Sequence, residues 1–164
     1  MERVTGDVLE SNQASPARLT VCDAPLDGAS ITLQMRENLD DELTEVKSEN
    51  AIDRITSQAN PRTLERVPAG ARFHVRFVVD VLCEEDKALP ALLAQGLRLL
   101  EDDSLGGGGS RGSGRVRFAG MRLVWRGRGF YAAGASETEL LTGADAAAFQ
   151  SLASDPEFPA KLAE

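Results

Sequence analysis

The sequence predicts an α+β domain of the ferredoxin-like or RRM-like kind, and three observations carry that prediction. Residues 17–22 and 73–82 show the two-residue periodicity of strands. Residues 89–100 place leucines on a broad helical face. A glycine-rich loop at 106–114 ends that helix and gives way to a second alternating run. Strand, projecting segment, strand, helix, glycine loop and strand, in that order, make half of a βαββαβ unit.

The chain has 164 residues, one domain by length and enough for a real core. No apolar run reaches membrane-spanning length and no signal peptide opens the chain, so no membrane partner is expected. Cys22 and Cys83 stand far apart and His74 is the only histidine. A zinc site needs a cluster of such ligands, so none is expected. Two unpaired cysteines suit a reducing cytoplasm.

The elements follow in order. Ala17-Arg18-Leu19-Thr20-Val21-Cys22 reads as a half-buried strand between Pro16 and Asp23-Ala24-Pro25. Asp27-Gly28 signals a turn. Ile31–Met35 reads as a short strand and residues 37–42 as a loop or single turn. Residues 44–68 hold few apolar side chains and read as two extended arms with a polar tip and a break at Asn60-Pro61. Lys47, Arg54, Arg62 and Arg66 are spread along this projection. Long polar excursions of this kind are functional or disordered; regular turn residues and balanced charge favour an ordered one. After the Ala69-Gly70 turn, Phe73, Val75, Phe77, Val79 and Val81 share one face, which reads as the central core strand. His74 lies on the opposite face, where a lone histidine is more often structural than catalytic.

Pro90 suits the first turn of the leucine-rich helix, which is expected to pack on the sheet. The loop then reads Gly106-Gly107-Gly108-Gly109-Ser110-Arg111-Gly112-Ser113-Gly114, followed by Arg115-Val116-Arg117-Phe118. Glycine-rich backbone presents N–H groups that favour anions, and guanidinium is a planar fork suited to phosphate. The plain alternative is a flexible linker; the arginines and the switch to strand periodicity favour phosphate. Val116 to Trp125 reads as one long strand bent at Gly120. Glu137–Leu141 and Ala144–Leu152 read as short terminal helices, in a tail loosened by Pro156 and Pro159.

Charge distribution sharpens the reading. The net charge is −8, which alone argues against nucleic acid. Residues 104–136, however, contain six arginines and no acid. Screening confines fields to about 10 Å, so a local basic face on an acidic body can hold a polyanion. The plain alternative is a solvated strand face. A phosphate-using enzyme that holds a nucleotide at this loop is the weaker reading, because a P-loop needs Lys-Ser/Thr after its glycines and here Ser110-Arg111 follows. A Rossmann loop follows a strand and opens a helix, the reverse of this order. A stand-alone single-stranded RNA-binding RRM-like protein stays open as an alternative, although the chain has only eight aromatics for base stacking.

Glu49-Asn50-Ala51-Ile52-Asp53-Arg54, Ala59-Asn60-Pro61-Arg62, Glu65-Arg66-Val67-Pro68-Ala69-Gly70 and the run from Leu100-Glu101 to Gly114-Arg115 carry a family resemblance. Leu19-Thr20-Val21-Cys22-Asp23-Ala24 adds to it. Together, over roughly residues 14–118, they resemble the RAMP-superfamily backbone subunit of type III-A CRISPR effector complexes, the third subunit of the Csm series. The resemblance implies a RAMP domain over residues 1–142, with a thumb insertion at 44–68, and a helical tail at 143–164. It implies a subunit that stacks with copies of itself and with other complex subunits along a guide RNA (crRNA) in antiviral defence. The thumb would intrude between guide and target RNA, with Lys47, Arg54, Arg62 and Arg66 as RNA contacts. Gly106, Gly107, Gly108, Gly109, Ser110, Arg111, Gly112 and Arg115 would grip the guide's phosphates.

Family members cut target RNA with an acidic residue and a divalent metal (Mg or Mn). That aspartate belongs to an N-terminal portion with the first strand and helix, which has no counterpart before Ala14. The chain therefore reads as the C-terminal two-thirds of such a subunit, whether from a truncated gene, a fragment or a misplaced start. No catalytic residue, metal ligand or cofactor is assigned to it, and Asp23 and Asp53 are not equivalent to the missing aspartate. Without the first strand, the runs at 73–82 and 115–125 are expected either to leave a gap or to pair directly.

Overall fold

The computed structural model describes residues 16–37, 39 and 43–162. It is a mixed helix-and-sheet structure, as the sequence predicts, with its strands in three separate pairs. Two compact units divide the chain: one is Thr20–Val78, and the other holds Val79 onward together with the segment ending at Leu19.

The first unit takes in all but the first residue of β1 (Leu19–Val21), one of the strands read from the sequence. The short strand expected at Ile31–Met35 is instead a helical turn, α1 (Leu33–Arg36). Thr32 explains the difference: its Oγ1 accepts the Met35 N–H at 3.2 Å, a helix N-cap that the apolar spacing did not reveal. The loop read at 37–42 falls largely outside the described residues. β2 (Glu45–Ile52) and β3 (Ala59–Arg66) pair as an antiparallel hairpin in unbroken register from Glu45↔Arg66 to Ile52↔Ala59. The projection is therefore an ordered hairpin, but the expected break at Asn60-Pro61 is absent. A two-stranded ribbon has only edge strands, and an edge strand tolerates proline.

The run at 73–82 is corrected most. Only β4 (Phe77–Val79) is regular strand, and it pairs with β1. An isolated antiparallel bridge, Leu26↔Phe73, extends the ladder. Phe73 and Val75 are more than 40% exposed, so this is not a central core strand. Alternation reports which residues share a face of the pleat; among the described residues this strand pairs on one edge only, with β1. Gly70, at φ +94°, forms the expected turn before it.

In the second unit, α2 (Leu89–Asp102) begins with Pro90 in its first turn, as read. Its buried residues are Pro90, Ala94 and Leu97, while Leu92 and Leu99 are exposed. Its main partner is another helix, α4 (Ala146–Ala153), and not the sheet. Asp145 caps α4 by accepting the Ala148 N–H at 2.8 Å. The long bent strand expected from Val116 is shorter: residues 114–119 carry no ladder, Gly120 turns at φ +64°, and β5 (Met121–Trp125) starts only there. A short helix that the sequence did not suggest, α3 (Arg128–Ala133), follows. Of residues 137–141, read as helix, 138–141 belong instead to β6 (Thr138–Ala144), antiparallel to β5. Pairing with β5 along the chain overrides their helical composition there. The tail is not loose. Pro159 sits in the first turn of α5 (Phe158–Lys161), and Phe158, 1% exposed, is the most deeply buried large side chain among the described residues. β4 and β5 pair with β1 and β6, not with each other.

An ionic clamp fixes the start of this unit. Asp86 is buried and its Oδ2 accepts from Arg18 Nε at 2.8 Å, Leu82 N at 2.9 Å and Cys83 N at 3.1 Å. The Leu82 amide and the Arg18 guanidinium hold the Asp86 carboxyl down to about 2.

Candidate nucleic-acid interface

The glycine loop grows out of the end of α2. The Leu105 N–H donates to the Gly114 carbonyl at 2.8 Å and closes the loop at its base. Inside it, a single 3₁₀ turn (Gly109–Arg111) is flanked by Gly108 and Gly112, both left-handed at φ +79° and +83°. Gly114 is required twice over. It stands at φ +81°, and a Cβ there would lie 2.2 Å from the Leu105 carbonyl oxygen. Beyond the loop, Glu101 pins the departing chain, accepting from Phe118 N at 2.8 Å and from Arg98 Nη1 at 3.1 Å.

Not all of the loop's amides face outward. The N–H groups of Arg111, Gly112 and Ser113 donate to the carbonyls of Gly108 and Gly109. Fewer bare amides remain for an anion than the glycine count implies. Gly106, Gly107, Gly108, Ser110, Arg111, Gly112 and Arg115 are exposed, while Gly109 is half-buried. Arg115 and Arg117 point outward and alternate with the half-buried Val116 and Phe118. Arg117 also borders a small cavity of about 210 Å³ shared with Glu101, Asp102 and Asp145.

The six-arginine stretch is not a uniform basic face. Arg122 pairs with Glu137 and with Glu139, the latter at 2.9 Å, and Arg126 Nε donates to Glu137 at 2.9 Å. The acids that neutralise the stretch lie just past its end, where a count over residues 104–136 does not see them. These bonds hold the Glu137 carboxyl below its usual range, Arg126 contributing most.

The hairpin shows the same economy. On one face, Arg62 Nη2 donates to Glu49 at 2.9 Å, and Arg66 grips Glu45 in a two-bond fork at 2.9 and 3.0 Å. That fork lowers the Glu45 carboxyl. Lys47 and Arg54 are exposed and make no ion pair among the described residues. The tip is built by Asp53, whose Oδ1 accepts from Ile55 N at 2.7 Å and Thr56 N at 3.0 Å. Those amides, Thr56 first, lower its carboxyl, so Asp53 acts as a turn-former. Ile55 is 94% exposed at the tip, a feature that reading by charge had passed over. Its sequence signal is an isolated apolar residue inside a polar turn. The hairpin cations belong to the first unit and the glycine loop to the second.

A further polar cleft, marked by no sequence motif, lies on β1 and the segment before β4. Its sequence signal is the polar face of the 73–82 run. Its walls include Cys22, Asp23, His74 and Arg76.

A family model for the RAMP superfamily matches residues 10–117. The chain belongs to the RAMP superfamily. That match nearly coincides with the span of the motifs. Curated relatives are proteins called CRISPR system Cms endoribonuclease Csm3. The one from Methanocaldococcus jannaschii is 37% identical over 133 residues, covering 79% of this chain and 51% of the relative. The one from Methanothermobacter thermautotrophicus is 42% identical over 96 residues, 58% of this chain and 39% of its own. The one from Streptococcus thermophilus is 43% identical over 84 residues, 49% and 38%. The chain thus spans about half or less of the length of these relatives. No helix among the described residues of this RAMP protein is long and apolar enough to cross a membrane.

Among the described residues, no three His, Cys, Asp or Glu side chains converge to hold a metal ion. The described residues therefore do not fit the divalent metal that the resemblance implies.

Proposed function

We propose that this RAMP-superfamily chain is a guide-RNA-binding backbone subunit of a type III CRISPR-Cas complex, acting in antiviral defence beside copies of itself and other subunits. The observation that carries the reading is the glycine loop: a pinned base, left-handed glycines on both sides of a tight turn, and exposed Arg111 and Arg115. Such a loop suits a phosphate backbone without reading bases, because contacts to phosphate fix register and carry no sequence information directly. The relatives' names support the system and, for the complete proteins, endoribonuclease activity. Cleavage of target RNA by a divalent metal is proposed for the complete assembly and not assigned to the described residues.

The hairpin at 45–66 is read as the thumb that enters between guide and target, led by the exposed Ile55 with Arg54 beside it. An apolar wedge at a hairpin tip is the kind of group that unstacks a base step. Lys47, Arg62 and Arg66 would line its flank. The strand pairs are read as parts of a ferredoxin-like RAMP sheet, with 1–142 as the RAMP domain and 143–164 as its helical tail. Cytoplasmic residence accompanies this reading. No feature favours the stand-alone RNA binder.

The test is isolation of the tagged chain from cells carrying the rest of the complex. Co-purification of a short guide RNA and further subunits is expected. A monomer free of RNA and partners, from cells in which the complex forms, would overturn the reading.

A further inference from the structure

The cleft beside β1 has a definable origin. The Cys22 N–H donates to the Arg76 carbonyl at 3.0 Å, and the His74 N–H donates to the Pro25 carbonyl at 2.9 Å. Between those bonds one strand advances three residues and the other two, a bulge at Asp23-Ala24. Bulges bend a ladder and re-aim side chains. Here the result is an open cleft of about 630 Å³ walled by Val21, Cys22, Asp23, Pro25, His74 and Arg76.

Arg76 is held in this cleft in an unusual way. Its Nε donates to Cys22 Sγ at 3.3 Å. Arg18, Arg62, Arg66, Arg98, Arg122 and Arg126 each rest on a carboxylate. Arg76 makes no ion pair among the described residues. The thiol fixes the plane of the guanidinium without neutralising it, and its terminal N–H donors stay available for an anion. Asp23 lines the same cleft and would repel a bare anion. A ligand that carries a phosphate and a nearby hydroxyl donor satisfies both groups.

We propose that this cleft binds one ribose-phosphate unit of an RNA strand. Arg76 takes the phosphodiester oxygens and Asp23 accepts the ribose 2′-hydroxyl, the group by which a site tells RNA from DNA. The proposal rests on the RNA-binding reading but concerns residues outside both the glycine loop and the hairpin.

The test uses the whole chain and a fluorescein-labelled single-stranded oligoribonucleotide, with a salt titration of its affinity. Arg76→Gln is expected to weaken binding several-fold and lower the salt slope by about 0.7, the value of one phosphate contact on a single strand. A second readout needs no variant. Alkylation of Cys22 by iodoacetamide, followed by peptide mass spectrometry, is expected to slow at least several-fold at saturating RNA. The exposed Cys83 serves as internal reference and keeps its rate. A DNA oligonucleotide of the same sequence is expected to protect Cys22 less; equal protection would remove the role of Asp23. RNA that binds with its slope unmoved by Arg76→Gln and with Cys22 still reactive overturns the cleft alone. A wild-type chain that binds no RNA overturns the RNA-binding reading, and the cleft with it.

Discussion

The hairpin at 45–66 and the loop at 105–114 both project arginines, but they hold them differently. In the hairpin, strict antiparallel register sets Arg66 opposite Glu45 and Arg62 opposite Glu49, and each pair closes within 3.0 Å. In the loop, Arg115 is exposed and makes no ion pair among the described residues. A cation already satisfied by a carboxylate must break that bond to serve a phosphate. A cation without one can take a phosphate directly, and the cations condensed on the RNA are released. Arginine count is therefore a poor guide to polyanion binding, and pairing state a better one.

The largest effect that sharpens this contrast is steric. Gly114→Ala is expected to spring the loop open, because left-handed backbone alone costs a non-glycine residue about 1–2 kcal/mol and the new Cβ meets the Leu105 carbonyl. A lower thermal midpoint together with lost RNA binding is expected. Gly107→Ala, with open space and ordinary φ, should shift stability by less than about 0.5 kcal/mol. Equal behaviour of the two would mean that the loop is not built as described.

Next in size, Arg111→Ala with Arg115→Ala is expected to weaken RNA binding roughly tenfold or more, without regard to sequence. Fluorescence anisotropy on two unrelated oligoribonucleotides checks both statements.

The Asp86–Arg18 clamp contrasts with the exposed hairpin pairs because it is buried. Its folded carboxyl is depressed to about 2, so its stabilisation is present above the unfolded value of about 3.9 and is lost as pH falls through the folded value. Asp86→Asn should lower the thermal midpoint at pH 7 and bring the variant close to wild type near pH 2. A constant difference across that range would remove the carboxylate from the account.

The smallest effects are in the hairpin. Glu45→Gln with Glu49→Gln frees Arg66 and Arg62 and should raise RNA affinity by a few-fold, with little change in stability, since exposed pairs contribute about 0–1 kcal/mol. Weaker RNA binding would show that the acids, and not the arginines, matter there. Replacing residues 52–60 with a short glycine turn should leave the thermal transition nearly unchanged, since loop length costs entropy slowly.

Sequence reading succeeded where the signal was local and failed where partners decided. The helix over 89–100, the hairpin arms and the glycine loop were legible because period, turn residues and composition act within a few residues. The 73–82 run was read as core because alternation reports a pleat and not how many neighbours cover it. Residues 137–141 were read as helix because composition carries no mark of the strand, β5, that 138–141 pair with. The loop's residues were legible as a candidate site. The inward turn of three of its amides and the bulge that opens the Cys22–Arg76 cleft were not, since both arise from hydrogen bonds set by register and φ.

The central claim is that the loop, more than the hairpin, carries the electrostatic grip on RNA. Salt titrations of RNA affinity for the Arg111→Ala/Arg115→Ala and Arg62→Ala/Arg66→Ala double variants test it most directly. The loop pair should lower the slope of log affinity against log salt by about 1.4, two single-strand phosphate contacts, and the hairpin pair by less than half as much. A hairpin pair that lowers the slope as much as the loop pair, or more, would contradict it.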